Sequence, residues 1–291
     1  MFEWLYLVLI SSVFMGVSTI IEKYTLKDEH ASVYSSSFAL ITFILSLIFL
    51  PFADFHIPII DILYIYINAL LSTITYLLTA RVFKHGNLSI SAPVLSSLPM
   101  AFIVIISLIA LNEKLTLLQY AALAIIIVSS YFIVFKSGKK GIPSFDNKKY
   151  AYMLIIISFI MGISTVLMKY IFIEKVNVFT FLILAEFFIS MNYLIYMSIR
   201  YGGIKEVYGN VKNYKKKIGT ISVLTIIYRV TYYFSASLML ISIVAPIRNS
   251  IYVIITALFG GIIFKEQGLK RKMFIIVIML IAVYYISISV G

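Results

Sequence analysis

Long apolar runs follow one another down the whole chain, each closed by a short polar break. A helix needs about 20 mostly apolar residues to cross a bilayer. The pattern predicts spans at 4–22, 33–52, 59–80, 91–111, 115–136, 150–171, 178–199, 218–240, 243–264 and 272–290. Runs such as YAALAIIIVSSYFIVF are continuous rather than alternating, which argues against the period-two strands of a β-barrel. The longer polar stretches, 136–149 and 200–217, read as loops. The chain passes from MFEW into its first apolar run without a basic leader or a small-residue cleavage site, so that run reads as a retained helix.

Composition agrees with this pattern. Of 291 residues, 62% are hydrophobic and the mean hydropathy is +1.04, against about 45–50% apolar content in soluble domains. An all-α integral membrane protein is the expected class. The net charge of +12 sits almost entirely between apolar runs, where it reports membrane orientation rather than nucleic-acid binding. There is no cysteine, which removes disulfides and thiolate metal sites.

The chain repeats itself. Gly16, Ser18, Thr19, Lys23 and Tyr24 return as Gly162, Ser164, Thr165, Lys169 and Tyr170, and Ala92, Pro93, Ser97 and Glu113 return as Ala245, Pro246, Ser250 and Glu266. Two ordered matches in corresponding spans predict a five-span unit at 1–136, a basic linker at 137–149 and a second five-span unit at 150–291. An odd number of spans per unit makes the second enter the bilayer from the opposite side, an inverted repeat of the kind used for alternating access.

With ten spans in two halves, each with a small-residue first span ending near a Lys and an Ala-Pro about twenty residues before a loop Glu, the chain resembles the drug/metabolite transporter superfamily, specifically its EamA-type members. The resemblance covers essentially the whole chain. It implies a central cavity between the halves, lined mainly by spans 1, 3, 4, 6, 8 and 9. It implies a small organic solute as cargo, among amino acids, metabolites, drugs and sugar-linked compounds, and termini in the cytoplasm.

The charges of this chain argue for the other orientation. Of its 24 Lys and Arg residues, nineteen follow spans 1, 3, 5, 7 and 9, while only Lys114, Lys169 and Lys175 lie on the opposite side. Positive charge marks cytoplasmic loops, so the count places both termini outside.

The remaining two arginines lie within spans. Ionisable groups at mid-membrane depth cost about 2.5–3.5 kcal/mol each on insertion scales and default to function. Glu186 falls in span 7, Arg229 in span 8 and Arg248 in span 9. Glu186 corresponds to Leu40 in the first half and Arg248 to Leu95, so these charges break the internal symmetry. Glu186 and Arg229 either pair for packing or serve the cargo. Arg248 then lacks an acidic partner unless it snorkels to a helix end, and the surplus positive charge favours an anionic or carboxylate-bearing solute, because a guanidinium grips carboxylate or phosphate with two parallel bonds.

Around these charges run polar stripes at helical spacing: Asn68, Ser72, Tyr76 and Thr79 on span 3, Thr225, Tyr228, Arg229, Tyr232 and Ala236 on span 8, with Ser96, Ser97, Asn249 and Ser250 on spans 4 and 9. They line a cavity or act as interhelical glue. Pro93 and Pro246 read as shared bends or helix starts. Gly16, Gly162, Lys23 and Lys169 read as the packing face and interfacial end of each first helix. Glu113 and Glu266, in the connections to spans 5 and 10, read as acids near helix N-termini.

His30, His56 and His85 are scattered, and neither a zincin, a serine-elbow nor a P-loop motif occurs, so neither an enzyme nor ATP-driven transport is expected, and no cofactor or metal. A small-molecule solute and the lipid bilayer are the expected partners, with proton or other ion coupling left open. A flippase for a lipid-linked sugar, a membrane-embedded enzyme and a non-transporting scaffold are the alternatives.

Overall fold

The computed structural model describes residues 3–26, 31–85, 88–134, 148–200, 204–263 and 269–289. Within them lie ten α-helices: α1 (Glu3–Leu26), α2 (Ala31–Ser46), α3 (Ile59–His85), α4 (Leu88–Ala110), α5 (Leu117–Val134), α6 (Lys148–Ile173), α7 (Val178–Arg200), α8 (Ile204–Leu238), α9 (Ile241–Ile263) and α10 (Leu269–Ser289). A 3-10 helix, Leu47–Phe52, continues α2. No strand occurs among the described residues. Each span read from the sequence falls on one helix.

Local chemistry sets several of the ends. Thr116 and Gln119 cap α5 reciprocally: each side chain bonds the other's backbone N–H, at 3.3 and 2.9 Å, the capping-box arrangement. The Asn177 side-chain oxygen accepts the Phe179 N–H at 2.8 Å and the Thr180 N–H at 3.3 Å, opening α7. Beyond α6, Lys175 adopts a φ of 65° and the Val176 N–H returns to the Ile171 carbonyl, which closes the helix in a left-handed cap. Between α2 and α3 the chain leans on α7, where the Thr180 hydroxyl accepts the Asp54 N–H and donates to the Asp54 carbonyl. The His56 backbone N–H and ring hold the exposed Asp54 carboxyl below the ordinary carboxylate range.

Six helical stretches among the described residues are long and apolar enough to span a membrane: 3–22, 32–52, 59–79, 152–173, 178–200 and 214–238. In α4, α5, α9 and α10 the described apolar stretches are shorter, Leu98–Ala110, Leu117–Ser129, Ile241–Ile255 and Phe274–Ile286. Large apolar side chains face outward, as with Leu117 at 83% and Ile109 at 75% exposure, the pattern of a surface solvated by lipid rather than water. The protein is a multi-pass membrane protein.

One expectation is corrected. Residues 204–217 are helical rather than loop: α8 starts at Ile204 and bends at Tyr214, whose φ of −118° and ψ of 18° leave the helical region. The preceding segment has too many charges to read as a span, so polarity masked its helicity. Val207 is nonetheless fully buried, and its carbonyl accepts the Ser37 hydroxyl of α2 at 3.3 Å. Tertiary contact with α2, not a 3.6-residue apolar stripe, fixes this turn.

Helix packing joins the two halves throughout. Helix α1 packs on α8 and α9, and α6 packs on α3 and α4; α2 packs on α8, and α7 on α3; α2 meets α7, α4 meets α9 and α5 meets α10. Exchanging the first five helices for the last five in order maps each of these pairings onto another or onto itself. One hydrophobic core gathers buried side chains from both halves, including Val8, Ile65, Met100, Ile171, Phe181 and Ile247.

The repeated glycines sit where these helices approach most closely. A Cβ on Gly16 would come within 2.8 Å of the Ile255 side chain on α9, and one on Gly162 within 2.8 Å of the Phe102 Cβ on α4. The serines two residues on bridge the same helices to their other neighbour: the Ser18 and Thr225 hydroxyls lie 3.5 Å apart, and Ser164 lies 3.4 Å from Ser72. With no hydrophobic force between helices in lipid, small residues and hydroxyl bonds of this kind hold the bundle together.

Candidate functional site

The turn between α8 and α9 is two residues long, Met239 and Leu240, and is clamped from other helices. Lys169 of α6 is buried and donates to the Ala236 and Met239 carbonyls at 2.7 and 2.9 Å. Glu113, from the α4–α5 connection, accepts the Ile241 and Ser242 N–H groups at 2.8 and 3.0 Å. A cation at the end of one helix and an anion at the start of the next each oppose the local dipole. Glu113 thus serves the N-terminus of α9 and not that of α5, which Thr116 and Gln119 cap. Sequence proximity suggested the nearer helix; the fold delivers the carboxylate to the farther one. Pro246 is buried at the sixth residue of α9, where it removes one donor from the first turns of the helix. The side chains of Lys23, Pro93, Ser96 and Ser97, and residue Glu266, lie outside the described residues.

Above this turn the polar groups converge. Helix α7 carries Glu186, 1% exposed, and α8 carries Arg229, 5% exposed, and the two form an ion pair. Arg229 also donates to the Tyr76 hydroxyl of α3 at 2.6 Å, with its guanidinium 5.7 Å from that ring's centre. Residues from both halves therefore share one buried guanidinium.

Arg248, on α9, has a different setting. Its guanidinium carbon stands 4.0 Å from the centre of the Tyr232 ring and 5.5 Å from that of Tyr228, both on α8, a cation–π box. Its Nε donates to the Ser11 hydroxyl of α1 at 3.1 Å, and that hydroxyl donates to the Tyr228 carbonyl at 2.8 Å. The neighbouring Ser12 hydroxyl donates to the Arg248 carbonyl at 3.1 Å. Among the described residues no carboxylate pairs with Arg248.

The polar stripes divide between two roles. Tyr76, Tyr228 and Tyr232 join the arginines. Asn68 instead donates to the Ser164 carbonyl at 2.5 Å and to its hydroxyl at 3.2 Å, and Thr225 lies against Ser18, so these serve helix packing. Asn249 is half-buried beside Arg248 in sequence. Among the described residues there is no group of three or more His, Asp or Glu fit to hold a metal ion.

Two residues of this region have no place in the sequence reading. Ser11, in an apolar stretch, carries no charge signal. Glu22, on α1, is half-buried, and its carboxylate lies in the electrostatic field of Arg229 and of the Tyr34, Tyr193, Tyr228 and Tyr252 hydroxyls. A signal for it exists: the second half places Met168 where the first places Glu22, the same break in symmetry that marks Glu186 and Arg248. Next to Lys23 at a helix end, it passes for an interfacial charge.

Known proteins bear on this arrangement at two levels. No curated protein matches the chain. Among solved structures, 27 chains match; one, a crystal structure of a protein, superposes with a TM-score of 0.73 over 96% of this chain and 95% of its own at 9% identity, a likeness of fold alone. Residues 2–135 match the family model described as the EamA-like transporter family. That segment spans α1 to α5, which supply Ser11, Ser12 and Tyr76 to the polar centre, and over it the chain is similar to the EamA-like transporter family of the drug/metabolite transporter superfamily.

Proposed function

We propose that the protein is a secondary transporter that carries an anionic, carboxylate-bearing solute, such as an amino acid or organic acid, by alternating access between two inverted five-helix halves. The carrying observation is Arg248: a half-buried guanidinium held between two tyrosine rings, anchored through Nε by a hydroxyl, with no acid among the described residues paired with it. A carboxylate supplied by the cargo completes it. Arg229 differs, since Glu186 already answers its charge and leaves Tyr76, Tyr228 and Tyr232 as the aromatic wall.

Alternating access is supported by the exchange symmetry of the packing. The pairings of α1 with α8 and α9 repeat as those of α6 with α3 and α4, and the tight glycine contacts repeat with them. Residues 1–136 and 150–291 act as the two halves, joined by the basic stretch 137–149, with all ten helices in the bilayer. Rocking about the crossing of α4 and α9, which Pro93 and Pro246 bend or start, exposes the centre to one side and then the other.

A binding screen on purified protein tests the cargo class, using amino acids, organic acids, phosphorylated sugars and nucleotide sugars as ligands in a thermal-shift assay. Arg248→Ala should weaken the retained ligand by roughly 10- to 150-fold, the loss of about 1.5–3 kcal/mol for a hydrogen bond to a charged group. Undiminished affinity refutes the assignment. The excess of Lys and Arg after the odd-numbered spans supports a cytoplasmic location for those connections and external termini. A C-terminal reporter active only in the cytoplasm should then stay silent, and a signal from it reverses the orientation.

A further inference from the structure

Ser11 and Arg248 break the internal repeat together. The shift that takes Gly16 to Gly162 takes Ser11 to Ile157, and the shift that takes Pro93 to Pro246 takes Leu95 to Arg248. In the other copy both places hold aliphatic side chains: Ile157 is fully buried in an apolar cluster, and Leu95 packs against that cluster. The two helix pairs concerned, α1 with α9 and α6 with α4, both pack closely, so the fold closes this crossing without a polar group. The next serine behaves differently. It is kept as Ser158, and Ser12 and Ser158 each bond the carbonyl four residues back in their own helix, at 2.7 and 2.8 Å. A hydroxyl at position 12 belongs to the frame; a hydroxyl at position 11 occurs only where the arginine does.

The bonds of Ser11 show what it supplies. Its hydroxyl is fully buried and commits its one proton to the Tyr228 carbonyl at 2.8 Å, so that its oxygen can only accept from Arg248. What it accepts is the Arg248 Nε–H, at 3.1 Å. The same serine thus ties down the guanidinium and the backbone of the residue whose ring stands 5.5 Å from it, with the Tyr232 ring at 4.0 Å. A guanidinium is a planar, rigid fork of donors, so fixing Nε fixes the plane and direction of the rest. Resting on the transport reading above, we propose that Ser11 is a positioning residue and a determinant of specificity, which takes the Nε–H of Arg248 and leaves its two terminal nitrogens to grip the cargo end-on. That edge offers parallel donors to the two oxygens of one carboxylate. A long side chain ordered before the cargo arrives loses less freedom on binding, and the hydroxyl raises affinity by that route as well.

The orientation can be read without any cargo. The chain has five arginines, Arg81, Arg200, Arg229, Arg248 and Arg271, so protein with isotope-labelled arginine gives few Nε–H resonances, and Arg248→Lys identifies one by its loss. In Ser11→Ala that resonance should shift and lose protection from exchange, whereas Ser11→Thr, which keeps the hydroxyl, should restore it. Ser18→Ala removes a packing hydroxyl from the same helix and should leave the resonance in place. A resonance indifferent to Ser11→Ala, or moved as far by Ser18→Ala, overturns the proposal. For an anion retained in the screen, Ser11→Ala should lower affinity by about tenfold, the lower end for a hydrogen bond to a charged group, with Ser11→Thr close to wild type. Equal affinity in wild type and Ser11→Ala counts against it in the same way. Ser11→Ile combined with Arg248→Leu copies the other half and should melt no lower than wild type while binding no anion. A double variant that melts far lower would assign the polar pair to the fold, and the proposal falls. Should every candidate solute fail while Ser11→Ala still moves the Arg248 resonance, the cargo assignment falls and the positioning stands.

Discussion

Arg229→Met should lower the stability of the protein by about 3–5 kcal/mol, the cost of leaving one member of a buried ion pair without its partner. Glu186 would then sit 1% exposed between helices with no cation against it, and the Tyr76 hydroxyl would lose its donor. Glu186→Met leaves the reverse defect, an uncompensated guanidinium, and should be of similar size. The double variant, Glu186→Met with Arg229→Met, replaces both charges with side chains of comparable volume and should recover much of the loss. Thermal unfolding in detergent measures all three. A double variant as unstable as either single one would mean that the two charges do not answer each other. The contrast with Arg248 is the useful part: Arg248→Ala should impair binding far more than folding, since no carboxylate among the described residues pairs with it.

Glu113→Ala should cost about 1–3 kcal/mol for each of two unsatisfied backbone donors, because the Ile241 and Ser242 N–H groups are buried where α9 begins and water does not replace the carboxylate. Glu113→Gln keeps one acceptor oxygen and should fall between the alanine variant and the wild type. The same unfolding assay reads this series, and an alanine variant that melts with the wild type would show that the cap contributes nothing. A role confined to α5 predicts no such loss, since Thr116 and Gln119 would remain.

The fold was legible where apolar length and internal repetition carry the information. Ten runs became ten helices, and the repeated Gly16 and Gly162 occupy equivalent close crossings, because a bilayer leaves few structures open to a chain of this pattern. Legibility failed where partners come from distant sequence. Nothing near Glu113 announces that it caps α9, and the helix from Ile204 is held by contact with α2 rather than by its own periodicity. The candidate site followed the same division. Glu186, Arg229 and Arg248 stood out as charges in apolar runs. Asn68 and Thr225 lay on the expected faces, but those faces point to Ser164 and Ser18. Glu22 was hidden by its position at the end of a run, although the comparison of halves that singled out Arg248 also marks it.

The interlocking of the halves has a consequence for how the chain is made. The Ser11 hydroxyl meets its partner on Tyr228 across 217 residues of sequence, and Gly16 meets Ile255 on α9. At roughly 5–20 residues per second, α1 waits about 10–40 s in the membrane before the surfaces it was shaped for emerge from the ribosome. During that interval its glycine notch and serines face lipid or a transient companion. The first five helices can therefore be inserted as a set but cannot finish packing as one. Assembly is completed by the last helices to arrive: α9 brings a partner for α1 and α4, and α10 brings a partner for α5.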